Sequence, residues 1–272
     1  MLIKAKEDIK TLEKSGKIIG EILQNLGKMC KAGVSTFDVD AAAEKMILDA
    51  GGRPAFKGYC ASSTDTPFPG TICASLNHEI VHGIPRPEIV LKNGDIFTID
   101  IGMEWPHGKK TRGKQKRGVY TDTAITVAVG DINEKVTKLM RVTQEALEIA
   151  IQAVVPGHTI ASIGKAVEDY VKSQGKYGIV RDLVGHGVGY AVHEEPRIPN
   201  YYDQRLETWL IQPGMVLALE PMITLGDHRI TSGADGWTIE TLDRSLCAHY
   251  EHTVVVTNKG CKVITRRPEE LV

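Results

Sequence analysis

The chain has 272 residues, 42% of them hydrophobic, with 33 Lys and Arg against 34 Asp and Glu for a formal charge of −1. This excludes global disorder and argues against a dedicated nucleic-acid binder, and no apolar run approaches the roughly 18 residues of a membrane span. A charged N-terminus in place of an apolar leader, and five cysteines (Cys30, Cys60, Cys73, Cys247, Cys261) that form no CxxC pair, lead us to expect a cytoplasmic protein with reduced thiols.

Ile9, Leu12, Gly16, Ile19, Leu23 and Leu26 recur at spacings of three and four, which predicts an amphipathic helix over 5–30. Ser35-Thr36 can cap a second helix that runs to about Ala50 and stops at Gly51-Gly52. Residues 53–104 read as short strands between Gly and Pro, among them Thr71–Leu76 and Asp95–Ile101, and a β-rich stretch Val119–Val129 follows. From Ile132 the order repeats: a long helix to Val155, a break at Pro156-Gly157, a helix to about Ser173, then Gly-rich turns and apolar strands.

The repetition extends to single residues. Asp100 lies six residues after Gly94, and Glu220 lies six after Gly214. Asp122 precedes the apolar run Ala124–Val129, and Glu251 precedes Thr253–Val256. Two halves that each bring two acids on strands predict a pseudo-two-fold arrangement with the acids converging at its centre.

An ionised carboxylate in an apolar strand is costly unless it is paired or bound to metal, and Asp100 (Phe-Thr-Ile-Asp-Ile-Gly) and Glu220 (Leu-Ala-Leu-Glu-Pro-Met) stand in such strands. Taken alone, Asp122 and Glu251 also fit a strand-end surface acid. His186 sits among glycines in Val-Gly-His-Gly-Val-Gly, which lets backbone or substrate come close to it, and His193 and the pair His78/His82 follow as candidates. Four carboxylates and one imidazole form a hard, oxygen-rich set that suits two divalent metals and a bridging hydroxide at a near-neutral centre. Such a pair acidifies water into a nucleophile, so the chemistry points to hydrolysis.

The ordered set Asn77…His82-Gly-Ile-Pro, Thr-Ile-Asp100-Ile-Gly, Thr-Asp122-Thr-Ala, Gly-His186-Gly-Val-Gly…His193-Glu-Glu-Pro, Leu-Glu220-Pro-Met, Asp235-Gly-Trp237-Thr and Tyr-Glu251-His-Thr resembles the type I methionine aminopeptidases over about residues 5–265. The resemblance implies an α+β, pita-bread fold: two pseudo-two-fold related α/β halves, about 1–130 and 131–272, around a central antiparallel sheet in a single catalytic domain. It implies that Asp100 chelates one metal, that Asp122 and Glu251 bridge both, and that His186 and Glu220 complete the other, the metals being Mn, Fe, Co or Zn. Glu220 would also shuttle the proton, His193 would polarise the scissile carbonyl and His82 would bond the substrate amide. Phe68, Cys73, His82 and Trp237 would line the methionine pocket, with a small second residue required. The activity implied is removal of the initiator methionine from nascent chains by a monomer with no membrane attachment.

Only 26 residues separate His193 from Glu220, which leaves no room for the helical insertion of type II enzymes. Three features depart from the family pattern. Asp100 and Asp122 are 22 apart, which predicts an enlarged hairpin loop over about 103–119; His78 stands beside Asn77 where an acid is usual; and Val192 precedes His193 where an aromatic residue is common. The loop concentrates Lys109, Lys110, Arg112, Lys114, Lys116 and Arg117 against one acid, a local charge of +5, and reads either as a solvated hairpin tip or as a contact to ribosomal RNA through 109–117. The competing readings are a proline-specific aminopeptidase of the same fold and a non-catalytic pita-bread module that binds RNA or protein.

Overall fold

The computed structural model describes residues 2–60, 66–108, 110–111, 114–115 and 118–271. The first helix, α1, spans Lys6–Met29 and buries Leu12, Gly16, Ile19, Leu23 and Leu26 of the expected stripe. Helix α2 (Thr36–Asp49) begins at a reciprocal cap: Ser35 Oγ accepts the Asp38 N–H at 3.1 Å, and Asp38 Oδ2 accepts the Ser35 N–H at 3.3 Å. Helices α3 (Glu134–Ala153) and α4 (Ile160–Gln174) repeat the pair in the second half. No helix among the described residues is long and apolar enough to cross a membrane.

The strands that matter here are β1 (Arg53–Pro54), β2 (Ile72–Leu76), β3 (Glu79–Val81), β4 (Ile96–Trp105), β5 (Val119–Ala128), β6 (Gly185–Gly187), β7 (Glu194–Ile198), β8 (Val216–Leu219), β9 (Met222–Thr224), β10 (Ile239–Thr241), β11 (Cys247–His249), β12 (Glu251–Val256) and β13 (Cys261–Val263). Nine of them form one sheet in the order β1-β4-β5-β12-β8-β6-β7, with β2 added to β4 and β13 to β12. Every one of these pairings is antiparallel.

The two-fold shows most directly where the halves meet. On β5 and β12, Glu251 faces Ala124 and His252 faces Thr123, while Asp122 and Thr253 are joined both ways: Thr253 Oγ1 donates to the Asp122 carbonyl at 2.7 Å and accepts the Asp122 N–H at 3.1 Å. Each acid therefore stands opposite the residue two beyond the other acid.

Alternation along the strands separates two faces. Phe97, Ile99 and Ile101 of β4 pack with Leu23, Leu26, Val39 and Ile47 of α1 and α2. Leu217 and Leu219 of β8 and Val254 and Val256 of β12 pack with Leu139, Leu147, Ile163 and Val167 of α3 and α4. Asp100, between Ile99 and Ile101, turns away from α1 and α2 into the cavity that Glu251 also lines. Burial of the odd-numbered residues of β4 against α1 and α2 thus fixes where its even-numbered acid points.

Two expectations need correction. The hairpin does not open at 103: Met103–Trp105 stay in β4, paired with Val119–Thr121, and the strands separate only beyond Trp105 and Val119. Long strands with matched partners keep their ladder bonds as far as the register allows. Glu220 is not within a strand, because β8 ends at Leu219 and β9 starts at Met222. Pro221 has no N–H to donate to a ladder, so the chain leaves the sheet there. Of the basic loop, Lys109, Arg112, Lys116 and Arg117 lie outside the described residues.

Candidate active site

The ten residues to which the resemblance gives a role line one cavity of about 320 Å³: Phe68, Cys73, His82, Asp100, Asp122, His186, His193, Glu220, Trp237 and Glu251. Its wall also contains Phe56, Tyr59, Val81, Leu183 and Val184, and among the described residues no lysine or arginine lines it.

The floor is acidic. Asp122, His186 and Glu251 each offer an atom within 4.8 Å of the others. Asp100 sits on β4 opposite Ala124 and next to Cys73 of β2, and Glu220 Oε1 lies 3.6 Å from His186 Nε2. Asp100, Asp122 and Glu251 are buried, which excludes the strand-end surface reading for Asp122 and Glu251. One oxygen of each of these three acids is buried without a hydrogen-bond partner. Burial, reinforced by the neighbouring carboxylates, holds Asp122 and Glu251 well above the ordinary carboxylate range, and burial with Asp100 close by does the same to Glu220. Without a cation the cluster cannot stay ionised together. Orphaned acid oxygens, with a neutral imidazole beside them and no lysine or arginine among the described wall residues to pair with them, fit divalent metal ions.

His186 is built for the same purpose. Its Nδ1 is 2.8 Å from the Gly187 carbonyl, which can only accept, so the proton is on Nδ1 and Nε2 presents a lone pair to the acids. Burial, with His193 nearby, lowers its pKa to about 3, so the ring is neutral. The flanking glycines have a packing reason: a Cβ at Gly187 would lie 2.2 Å from the Glu195 carbonyl oxygen, and one at Gly185 would lie 2.5 Å from that of Ala218. They bring β7 and β8 against β6, where the sequence suggested access to the imidazole.

At the apolar end Phe56, Phe68, Cys73 and Val192 form one buried cluster with Trp237 against it. Val192, the departure from an aromatic, packs against the wall residues Phe56, Phe68 and Cys73 in this cluster. Phe68 and Trp237 meet edge to face at 5.3 Å, and Trp237 Nε1 donates to the Thr66 carbonyl at 2.9 Å. Asp235 sets the tryptophan, with Oδ1 accepting the N–H groups of Trp237 at 3.0 Å and Thr238 at 2.8 Å. His82 follows β3 with φ of 59°, an unusual conformation for a residue other than glycine, and burial lowers its pKa to about 4. His193 is exposed, its ring 4.5 Å from that of His186 and its Nδ1 3.0 Å from the Tyr59 hydroxyl. His78 stays outside the cavity, its Nε2 3.7 Å from Glu240.

Residues 10–258 match metallopeptidase family M24. The chain is 39% identical to the methionine aminopeptidase of Clostridium acetobutylicum over 97% of this chain and 98% of that one. The chain belongs to family M24, among its methionine aminopeptidases. It is also 35% identical to the methionine aminopeptidase of Escherichia coli, covering 99% of this chain and 96% of that one. Its fold matches the crystal structure of the methionine aminopeptidase from Thermotoga maritima with a TM-score of 0.88 and 36% identity, over 98% and 100% of the two chains. The prolidase from Pyrococcus horikoshii shares the pita-bread fold at 23% identity and a TM-score of 0.74, with this chain covering 65% of its length.

Sequence reasoning did not single out Phe56, Tyr59, Val81, Leu183 and Val184 as site residues, because nothing in their local patterns distinguishes them from core. It also missed His249, which had a signal: a histidine two residues before Glu251 in an apolar segment.

Proposed function

We propose that this chain removes the N-terminal methionine from nascent proteins and peptides whose second residue is small, and that residues 1–272 work as one catalytic domain of two halves, about 1–130 and 131–272. The observation that carries this reading is the juxtaposition of orphaned carboxylate oxygens with the apolar recess of Phe68, Cys73 and Trp237 in one cavity.

Asp100, Asp122, His186, Glu220 and Glu251 would hold two divalent ions, with Asp122 and Glu251 serving both; Mn, Fe, Co and Zn all suit these ligands. When bound, such a pair makes a water acidic enough to serve as the nucleophile at neutral pH. Glu220 would take up a proton from the attacking water on its carboxylate and return it to the departing amine. A hydroxyl donated by Tyr59 to His193 Nδ1 leaves His193 Nε2–H free to donate to the scissile carbonyl oxygen, where charge develops. His82, neutral at working pH, bonds the substrate amide. The methionine side chain fills the recess, and a bulky second residue meets its rim.

Release of free methionine from Met-Ala-Ser, with and without added Mn²⁺ or Co²⁺ after chelation, tests the reading. Undiminished release from protein verified as metal-free contradicts it. Cleavage of Ala-Pro-Ser in preference to Met-Ala-Ser favours the proline-specific reading, and no turnover of either peptide favours the non-catalytic one. The protein's place of work in this reading is the cytoplasm, as a monomer, and the basic loop 109–117 is a contact to ribosomal RNA.

A further inference from the structure

His249 is 1% exposed, and neither ring nitrogen has a hydrogen-bond partner. Its Nε2 lies 3.7 Å from Glu220 Oε2, while Glu220 Oε1 lies 3.6 Å from His186 Nε2. The two oxygens of Glu220 are thus shared out, one to each imidazole. The backbone of His249 is clamped by Thr126, whose Oγ1 accepts the His249 N–H at 2.9 Å and donates to the His249 carbonyl at 2.8 Å. Thr126 is itself 2.8 Å from Thr98, its partner across β4 and β5. The strands that carry Asp100 and Asp122 therefore also set the position of His249.

We propose that His249 is a positioning residue for Glu220: its Nε2–H donates to Oε2 and so holds Oε1 toward His186. A neutral imidazole carries its proton on one nitrogen, and the carboxylate paired with this ring is that of Glu220. Bringing 3.7 Å to the roughly 3.2 Å limit of a good N–H···O bond takes about half an ångström of side-chain adjustment. Partners of this kind outside a ligand set orient the carboxylate that reaches the metal, and their loss costs about 10–100-fold in metal affinity or activity.

The turnover part of the test rests on the function proposed above; the other two parts do not. The full-length protein, His249→Gln and His249→Leu are compared on Met-Ala-Ser at saturating Mn²⁺ and by calorimetric titration of the metal-free proteins with Mn²⁺. Leucine is expected to lower kcat about 10–100-fold with KM little changed and to weaken Mn²⁺ binding. Glutamine, whose amide nitrogen can reach the Nε2 position, should restore most of both. Wild-type kcat and Mn²⁺ binding in a folded leucine variant overturn the proposal, as does glutamine proving as damaging as leucine. Independently of variant folding, ¹⁵N-histidine spectra of the unaltered chain should show His249 as the Nε2–H tautomer. An Nδ1–H tautomer overturns the proposal. A wild type that releases no methionine overturns the function instead, and leaves His249 to be judged by the spectra and the Mn²⁺ titration.

Discussion

Glu251 is buried with one oxygen unpartnered, whereas His193 is exposed and tied to Tyr59 at 3.0 Å. Their loss should therefore read out differently. Glu251→Ala is expected to lower both metal content and turnover, while His193→Ala keeps its metal and loses about 10²-fold in kcat, the usual cost of a missing oxyanion donor. Metal analysis of both purified variants checks this, and loss of metal in His193→Ala to the same extent gives His193 a ligand's role. Gly187 marks a packing limit on the same strand, because a Cβ there would lie 2.2 Å from the Glu195 carbonyl oxygen. Backbone cannot yield as a flexible side chain can. Gly187→Ala should destabilise by about 3 kcal/mol or more, seen as a lower urea midpoint.

Helix α2 owes its start to the reciprocal Ser35 and Asp38 bonds. Ser35→Ala should cost about 1 kcal/mol, the usual worth of an N-cap side chain, in a denaturant titration and with turnover retained. Helix α4 is tied to the loop after β7 by Glu168, which pairs with Lys172 at 2.8 Å and accepts the Tyr202 N–H at 3.0 Å. Burial alone would raise this carboxyl, but those bonds and Arg181 together hold it below its ordinary value of 4.5. A depressed carboxylate stabilises the fold above its unfolded pKa and ceases to as pH falls through its folded pKa. Glu168→Gln should therefore cost about 1 kcal/mol at pH 7, and the gap should close as pH falls below the ordinary carboxylate range. A gap that stays constant down to acid pH would show that the ionised bonds are not its source.

For the whole molecule, an acid cluster of strands from both halves couples metal binding to stability. A ligand that binds only the folded state at 100 times its Kd adds about 2.7 kcal/mol per site, which for a chain of this size is a rise of about 5–10 °C in Tm. Calorimetry of chelated and Mn²⁺-saturated protein measures it, and equal Tm values contradict a cluster that holds metal. The loop of 109–117 is tested at the same scale. Because Trp105 still pairs with Val119, replacing Lys109–Arg117 by a short Gly-Ser turn should leave tripeptide turnover intact and reduce salt-sensitive co-sedimentation with ribosomes. Equal co-sedimentation of the two proteins across a salt series rejects the contact.

The four helices, the strands carrying Asp100 and Asp122 and the kinship of the halves were legible in the sequence because they rest on local periodicity and repeated spacing, which neighbouring residues encode. Asp100, inside an apolar strand, was legible as an anomaly for the same reason. The sequence alone left open whether Asp122 and Glu251 faced solvent, and only the pairing of β5 with β12 placed both in the interior. It placed Glu220 on a strand, where the chain in fact leaves the sheet at Pro221, and opened the hairpin at 103, where cross-strand pairing runs to Trp105. Tyr59 reaches the cavity from a distant segment, Leu183 and Val184 from the turn before His186, and His249 meets Glu220 from β11. Such contacts depend on sheet register and on which face the helices cover, quantities set by packing of the whole chain.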